Sequence, residues 1–140
     1  MKKNNIKFFS QGFLVWLLIA VFGFVLGAFD DLILVKLIDN IAITITGIAM
    51  CIVVFIVSWL LLPNIIKTTS KNYWILGIMW FVITFLFECT EGIIIESATW
   101  QELLDAYNPF LTGNMWIFVM ISVLIAPHII AKKRKIIIEN

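Results

Sequence analysis

The sequence has little of what enzymes and metalloproteins use for chemistry. It holds one histidine, His128, and two cysteines, Cys51 and Cys89, which both fall inside apolar runs. No C-x-x-C pair and no cluster of histidine with cysteine occurs in the sequence, so the two cysteines are interpreted as small buried hydrophobic residues. The sequence therefore predicts no metal site and no cofactor.

Charged residues are also scarce, at 14% of the chain against about 25% in typical soluble domains. The sequence lacks a phosphate-binding glycine loop, H-E-x-x-H, G-x-S-x-G and a Ser/His/Asp set. A membrane enzyme that acts on a lipid, with Glu88 and Glu91 as acid and base, is accordingly the least favoured class of function. The basic run 132–135 is typical of a topology determinant, and nothing in the sequence indicates nucleic-acid binding.

Apolar residues, by contrast, are abundant. They make up 62% of the 140 residues, where about 45–50% is typical of soluble proteins, and the mean hydropathy is +1.06. A chain of this length has room for one domain. The sequence therefore predicts an all-α integral membrane protein with a single membrane domain over residues 1–140.

Four apolar runs are long enough to cross a bilayer, which takes about 20 helical residues. The spans are predicted at 13–29, 41–62, 73–95 and 115–131. Asp30 and Asp31 are expected to end the first span, and Asp39-Asn40 to cap the second. The apolar segment between them is expected to lie at the membrane interface. Cleavage of residues 1–28 as a signal peptide stays open as an alternative.

A short amphipathic helix is predicted at 99–108, between the third and fourth spans. Thr99 and Glu102 have the spacing of a capping box, and apolar residues recur at the helical spacing i, i+3, i+4 and i+7. This helix is expected to lie on the membrane surface or over the mouth of the bundle. Its predicted contact residues are Trp100, Leu104 and Tyr107, with Leu103 in the same stripe.

The positive charges predict the orientation. In a four-span topology they fall almost entirely on one side, which the positive-inside rule assigns to the cytoplasm. We therefore expect a bacterial plasma-membrane protein with both termini cytoplasmic and two acidic external loops, the second of which holds the amphipathic helix. The residues on the cytoplasmic side are Lys2, Lys3, Lys7, Lys67, Lys71, Lys132, Lys133, Arg134 and Lys135, and only Lys36 falls opposite.

One face of the third span is small and polar. Thr84 follows Gly77 by seven residues, Glu88 follows Thr84 by four, and Glu91 and Gly92 follow Glu88 by three and four. A carboxylate in an apolar span costs roughly 2.5–3.5 kcal/mol on insertion scales, so Glu88 is expected to face the bundle interior.

The candidate proton or ion site comprises Glu88, Glu91 and Thr84, together with Thr46 of the second span at a similar depth. Desolvation and the like charge of Glu91 favour a carboxyl group that takes up a proton. The alternative is a permanently protonated Glu88 that only donates a hydrogen bond, to a helix carbonyl or to a hydroxyl such as that of Thr46.

Aromatic, glycine and acidic residues between 74 and 127 follow a particular order. It comprises Phe87-Glu88, Gly92, Trp100, Leu103-Leu104, Tyr107-Asn108, Gly113, Trp116 and Ala126-Pro127. This order resembles a family of uncharacterised small bacterial four-span membrane proteins. The sequence departs from that pattern at Asp105, at Gly113 and where Asp30 and Asp31 replace basic residues. The resemblance implies the four-span topology and marks Glu88, Trp100 and Tyr107, but it implies no mechanism.

Two functions follow as expectations. The first is a small proton- or cation-linked carrier or channel that uses Glu88. It would work as a homo-oligomer or within a larger membrane complex, because small-residue stripes such as Ala20, Gly23 and Gly27 favour helix association. The alternative is a non-catalytic accessory or membrane-organising subunit that docks partners through its acidic external face. The only partner expected in either case is the lipid bilayer or another membrane protein.

Overall fold

The computed structural model describes residues 2–95 and 97–138, which are helical apart from short connections and one isolated bridge between Thr68 and Ile137. The seven α-helices of this part of the chain are α1 (Lys2–Phe29), α2 (Val35–Ile38), α3 (Ala42–Leu61), α4 (Ser70–Thr90), α5 (Trp100–Ala106), α6 (Pro109–Thr112) and α7 (Trp116–Lys133). Two π-helical turns, Asp30–Leu34 and Glu91–Ile95, extend α1 and α4.

Four helical segments of the described chain are long and apolar enough to cross a membrane. They are Asn4–Ile38, Ala42–Asn64, Ser70–Ile94 and Trp116–Lys133. The predicted all-α class with four such helices is therefore confirmed.

Among the four long helices, α7 contacts both α3 and α4 extensively. Gly77 makes the α4–α7 contact possible, because a Cβ atom at this position would overlap the backbone carbonyl oxygen of Leu124. The first helix packs mainly on α3 and has a shorter interface with α4. The result is a ring of four helices in which the α1–α4 seam is the loosest long-helix contact.

One end of the bundle carries most of the basic residues and is tightly packed. We call it the basic end, and it bears Lys7, Lys67, Lys71 and 132–135. The ring of Phe8 on α1 meets the ring of Tyr73 on α4 edge-on at 5.2 Å. The Ile138 N–H donates to the Thr68 carbonyl oxygen at 2.9 Å, so the tail after α7 lies against the α3–α4 connection. The opposite, acidic end bears Asp30, Asp31, Asp39, Glu91, Glu102 and Asp105.

The first helix does not end at Asp30 and Asp31, as the sequence had suggested. It continues through the π-helical turn, in which the Val35 N–H donates to the Asp30 carbonyl oxygen, and then through α2 to Ile38. The chain reverses at Asp39, whose φ is +48°. The predicted cap is also wrong, because the residue preceding α3 is Ile41 and it makes no side-chain capping bond.

The capping box at the start of α5 is present as predicted. The Glu102 N–H donates to Thr99 Oγ1 at 3.3 Å, and Glu102 Oε2 accepts from the Thr99 N–H at 2.6 Å. These hydrogen bonds, first from the Thr99 backbone and then from its hydroxyl, lower the pKa of the Glu102 carboxyl.

Candidate functional site

A partly open cavity of about 580 Å³ lies in the acidic half of the bundle, lined by residues of α1, α3, α4, α5 and α7. Towards the basic end, Trp16 closes it, because its indole N–H donates to Thr84 Oγ1 at 2.9 Å across the α1–α4 seam. Beyond Trp16, the predicted small-residue stripe Ala20, Gly23 and Gly27 lines the cavity. A Cβ atom at Gly27 would meet no atom within 4 Å, so the stripe leaves open space here.

Four carboxylates line this cavity. Glu88 comes from the last turn of α4, Glu91 from the π-helical turn that follows it, and Asp30 and Asp31 from the π-helical turn after α1. Such wide turns occur frequently at functional sites, where they redirect side chains. The cavity lining contains no lysine or arginine among the described residues. When these side chains are ionised, the electrostatic potential inside the cavity is negative, which favours a cation.

The carboxylates are spread over the wall of the cavity and do not converge on one point. Within residues 2–95 and 97–138, no group of three or more His, Cys, Asp or Glu side chains is arranged to hold a metal ion. A dehydrated metal ion needs several oxygen ligands at about 2.0–2.6 Å. The arrangement instead provides negative charge around a larger space.

Four buried polar atoms at the cavity have no hydrogen-bond partner within the described part of the chain. They are Asp30 Oδ1, Thr46 Oγ1, the Tyr107 hydroxyl and Trp116 Nε1. Buried polar atoms in native proteins are normally paired with protein, water or a ligand. Three of the four belong to neutral side chains, so this wall also offers hydrogen-bond donors to a bound molecule. Because Thr46 makes no such bond, its hydroxyl is not the partner that the protonated-Glu88 alternative named.

Tyr107, at the end of α5, brings the short helix into the site. Burial raises the pKa of its hydroxyl to about 12, with smaller contributions from the nearby Glu88 and Cys89 groups. The hydroxyl therefore stays protonated at physiological pH beside the Glu88 carboxyl. A second contact fixes the helix, since Leu103 occupies the place that a Cβ atom at Gly92 would take.

Aromatic rings make up much of the remaining wall. Trp16, Trp116, Tyr107, Phe24 and Phe87 all line the cavity. The rings of Phe24 and Phe87 meet edge-to-face at 5.4 Å across the α1–α4 seam. Carboxylates and aromatic rings in one cavity are two groups that attract positive charge, the latter through cation–π interactions.

The structure brings the predicted site residues together only in part. Glu88, Glu91, Thr46 and Thr84 all line the cavity, as does Tyr107. Trp100 and Leu104 do not, and they are 63% and 65% exposed on the outer face of α5. Sequence reasoning missed Asp30, Asp31, Trp16, Trp116 and Asn114 as lining residues.

Comparison with known proteins identifies no relative of this chain: no family model matches it, and neither does a curated protein or a solved structure. Membership of the family that the sequence resembles stays a prediction.

Proposed function

We propose that this protein is a small membrane carrier that binds a cation in the cavity of its acidic half and exchanges it for a proton at Glu88. The observation that carries this proposal is the lining itself, in which four carboxylates share one cavity and the described lining residues include no lysine or arginine. A cation inside the cavity gains from each of these charges, and the gain grows as the local dielectric constant falls.

Glu88 is the residue on which the exchange depends. It lies within the third spanning segment, Ser70–Ile94, where ionisable residues are costly and mark ion or proton pathways. Asp30 and Asp31 belong to the opposite wall and to a wider turn. Protonation of Glu88 removes negative charge from the cavity and weakens the hold on a cation, so proton uptake and cation release are coupled there.

The packing of the basic half favours a carrier over an open channel. Phe8, Tyr73, Leu76 and Trp80 are fully buried between the cavity and the basic end. An ion in the cavity therefore meets a closed core, and passage requires α1 and α4 to rearrange. This behaviour corresponds to alternating access, in which one part of the bundle moves against another around a fixed site.

The proposal is tested with protein reconstituted in liposomes, with a pH-sensitive dye inside and a cation gradient imposed across the membrane. Wild-type protein is expected to couple the gradient to proton movement. The Glu88→Gln variant keeps size and hydrogen-bonding capacity but cannot ionise, so it should lose this coupling. Asp105→Asn is the matched control, because it removes a carboxylate at the same end of the bundle from a side chain outside the cavity lining. Wild-type flux through Glu88→Gln would refute the proposal.

A second candidate is an accessory subunit that docks a partner through the acidic end. The observation that favours it is an apolar surface on α5 and α6, where Trp100, Leu104, Phe110 and Leu111 are exposed and Phe110 is 100% exposed. Exposed apolar patches frequently mark interaction sites. In a bilayer, the same side chains have a simpler role as interfacial anchors. Retained assembly with a partner and unchanged function in Glu88→Gln would support this candidate.

For the location, we propose the plasma membrane, with the basic end in the cytoplasm. The segregation of Lys67, Lys71 and 132–135 at one end of the bundle supports this orientation by the positive-inside rule.

A further inference from the structure

We propose that the ligand of the cavity is a lipophilic organic cation, a singly charged ammonium or phosphonium on an apolar or aromatic body, and that it reaches the cavity from the lipid through the seam between α1 and α4. This inference rests on the proposed function and adds the class of cation and its route.

The size and spread of the site favour a bulky cation over an inorganic one. The volume of about 580 Å³ lies within the range of about 300–1,000 Å³ that accommodates drug-sized ligands. The described residues hold no convergent metal-ligand group. A diffuse positive charge needs no inner coordination shell, since carboxylates arranged around the wall stabilise it from several sides.

The rest of the lining fits the apolar body of such a ligand. Trp16, Trp116 and Tyr107 contribute aromatic rings to the lining, and the face of such a ring attracts a desolvated cation. Aliphatic lining residues such as Ile19, Met50 and Val123 would remove the remainder of the ligand from water. A small hydrated ion gains nothing from this apolar surface. An organic cation is stabilised both by the carboxylates and by the apolar and aromatic side chains of the lining.

The route follows from the way in which α1 and α4 are joined. In the half nearer the basic end, two hydrogen bonds connect the helices. The Trp80 indole N–H donates to the Gly12 carbonyl oxygen at 3.0 Å, and the Trp16 indole N–H donates to Thr84 Oγ1 at 2.9 Å. Beyond Trp16, the two helices separate around the cavity, and the edge-to-face pair Phe24 and Phe87 spans the gap. Both rings line the cavity, and they are 55% and 40% exposed on the lipid-facing surface. The two rings thus contact both the cavity and the outer surface of the bundle.

The class of ligand is tested by measuring how tetraphenylphosphonium binds to the purified full-length protein in nanodiscs. Quenching of tryptophan fluorescence and calorimetry both measure this binding. Wild-type protein should bind it saturably. Gly27→Leu adds four side-chain carbons where the cavity is open, and it should weaken binding by about tenfold or more through overpacking. Val25→Leu is the matched control, because it enlarges an exposed side chain of the same helix outside the cavity lining, and it should bind as wild type. Glu88→Gln should also bind at least about tenfold more weakly.

The results separate failure of this inference from failure of the proposed function. Proton coupling to sodium or potassium with no saturable binding of tetraphenylphosphonium would overturn the inference and leave the carrier intact. Binding that Gly27→Leu leaves unchanged would likewise overturn it, because the ligand would then lie outside the cavity. Loss of coupling with every cation, organic or inorganic, would instead refute the carrier itself.

The route is tested by the rate of binding. Phe87→Ala removes half of the aromatic pair, so the association rate of tetraphenylphosphonium partitioned into the nanodisc lipid should rise several-fold in stopped-flow quenching. Phe85→Ala is the control, since Phe85 is also exposed on α4 but lies outside the lining. Equal association rates in the two variants would overturn the route through the α1–α4 seam.

Discussion

At the scale of single residues, glycines in this protein have opposite roles that a sequence does not distinguish. Gly77 allows contact between two backbones, because a Cβ atom there would overlap the Leu124 carbonyl oxygen. Gly27 lines open space. Both lie on faces rich in small residues, which in a sequence favour close contact between helices. The same residue type thus closes the bundle at one position and opens it at another.

This contrast predicts the outcome of a pair of alanine substitutions. Gly77→Ala should destabilise the bundle by about 1–3 kcal/mol, the usual cost of forcing an extra methyl into a packed contact. Gly27→Ala should be neutral or stabilising by about 0.5–1 kcal/mol, because alanine is the better helix former. Thermal unfolding in detergent measures both changes. Equal melting temperatures for the two variants would show that the α4–α7 contact is too loose to exclude a methyl group.

Two of the four cavity carboxylates were predicted from the sequence as members of the site, and two were not. Thr84, Glu88 and Glu91 were predicted to share a face from their spacing, and all three line the cavity. Asp30 and Asp31 were predicted to end a span, because two charges after an apolar run usually mark the membrane surface. Their place in the cavity depends on the π-helical turn Asp30–Leu34, and no residue pattern signals such a turn.

At the scale of elements, the sequence predicted where α5 begins, but it did not predict which side of α5 faces the bundle. The capping box fixes the first turn by local hydrogen bonds, which is why the sequence alone identified it. The apolar stripe did not reveal which of its members face the bundle. Leu103 and Tyr107 turn inward, while Trp100 and Leu104 turn outward, because a stripe this wide on a seven-residue helix covers both the cavity side and the exposed side.

The pKa of Glu102 gives α5 a pH dependence. Because hydrogen bonds from Thr99 lower this pKa below its ordinary value of 4.5, the capping box stabilises α5 above pH 4.5 and the contribution is lost as pH falls through the lowered folded pKa. Hydrogen exchange at amides 100–106 should therefore accelerate in strong acid, after correction for intrinsic rates. Thr99→Ala should show fast exchange already at neutral pH, whereas Gln101→Ala, which leaves the box intact, should not. A Thr99→Ala profile identical to that of wild type would contradict the assignment.

At the scale of the whole molecule, the number of helices long and apolar enough to span a membrane was predictable, and the way in which they pack together was not. Four apolar runs separated by charged or proline-containing turns suffice to identify four helices, because the thickness of a bilayer sets the length that a spanning helix needs. The long continuation of the first helix to Ile38 and the loose α1–α4 seam depend on tertiary contacts. The cavity between them was for that reason beyond the reach of the sequence.

Segregation of charge between the two ends predicts the topology in the cell. Reporter fusions after Lys67 and at Asn140 should read cytoplasmic, and a fusion near Asn108 should read external, because lysine and arginine are retained on the inner side. Glycosylation or phosphatase reporters provide the measurement. An external signal at Asn140 would overturn the four-span orientation, and the fusion near Asn108 then identifies which span was miscounted.

The bridge between residues 68 and 137 also has a consequence for the order in which the bundle is assembled during synthesis. A chain leaves the ribosome from its N-terminus, so the α3–α4 connection emerges long before the segment that covers it. Ile136 is buried against the core, and the Ile138 N–H reaches the Thr68 carbonyl oxygen. The basic end of the bundle therefore closes last. A chain that stops before Ile136 would contain all four long helices and yet leave this end of the core uncovered.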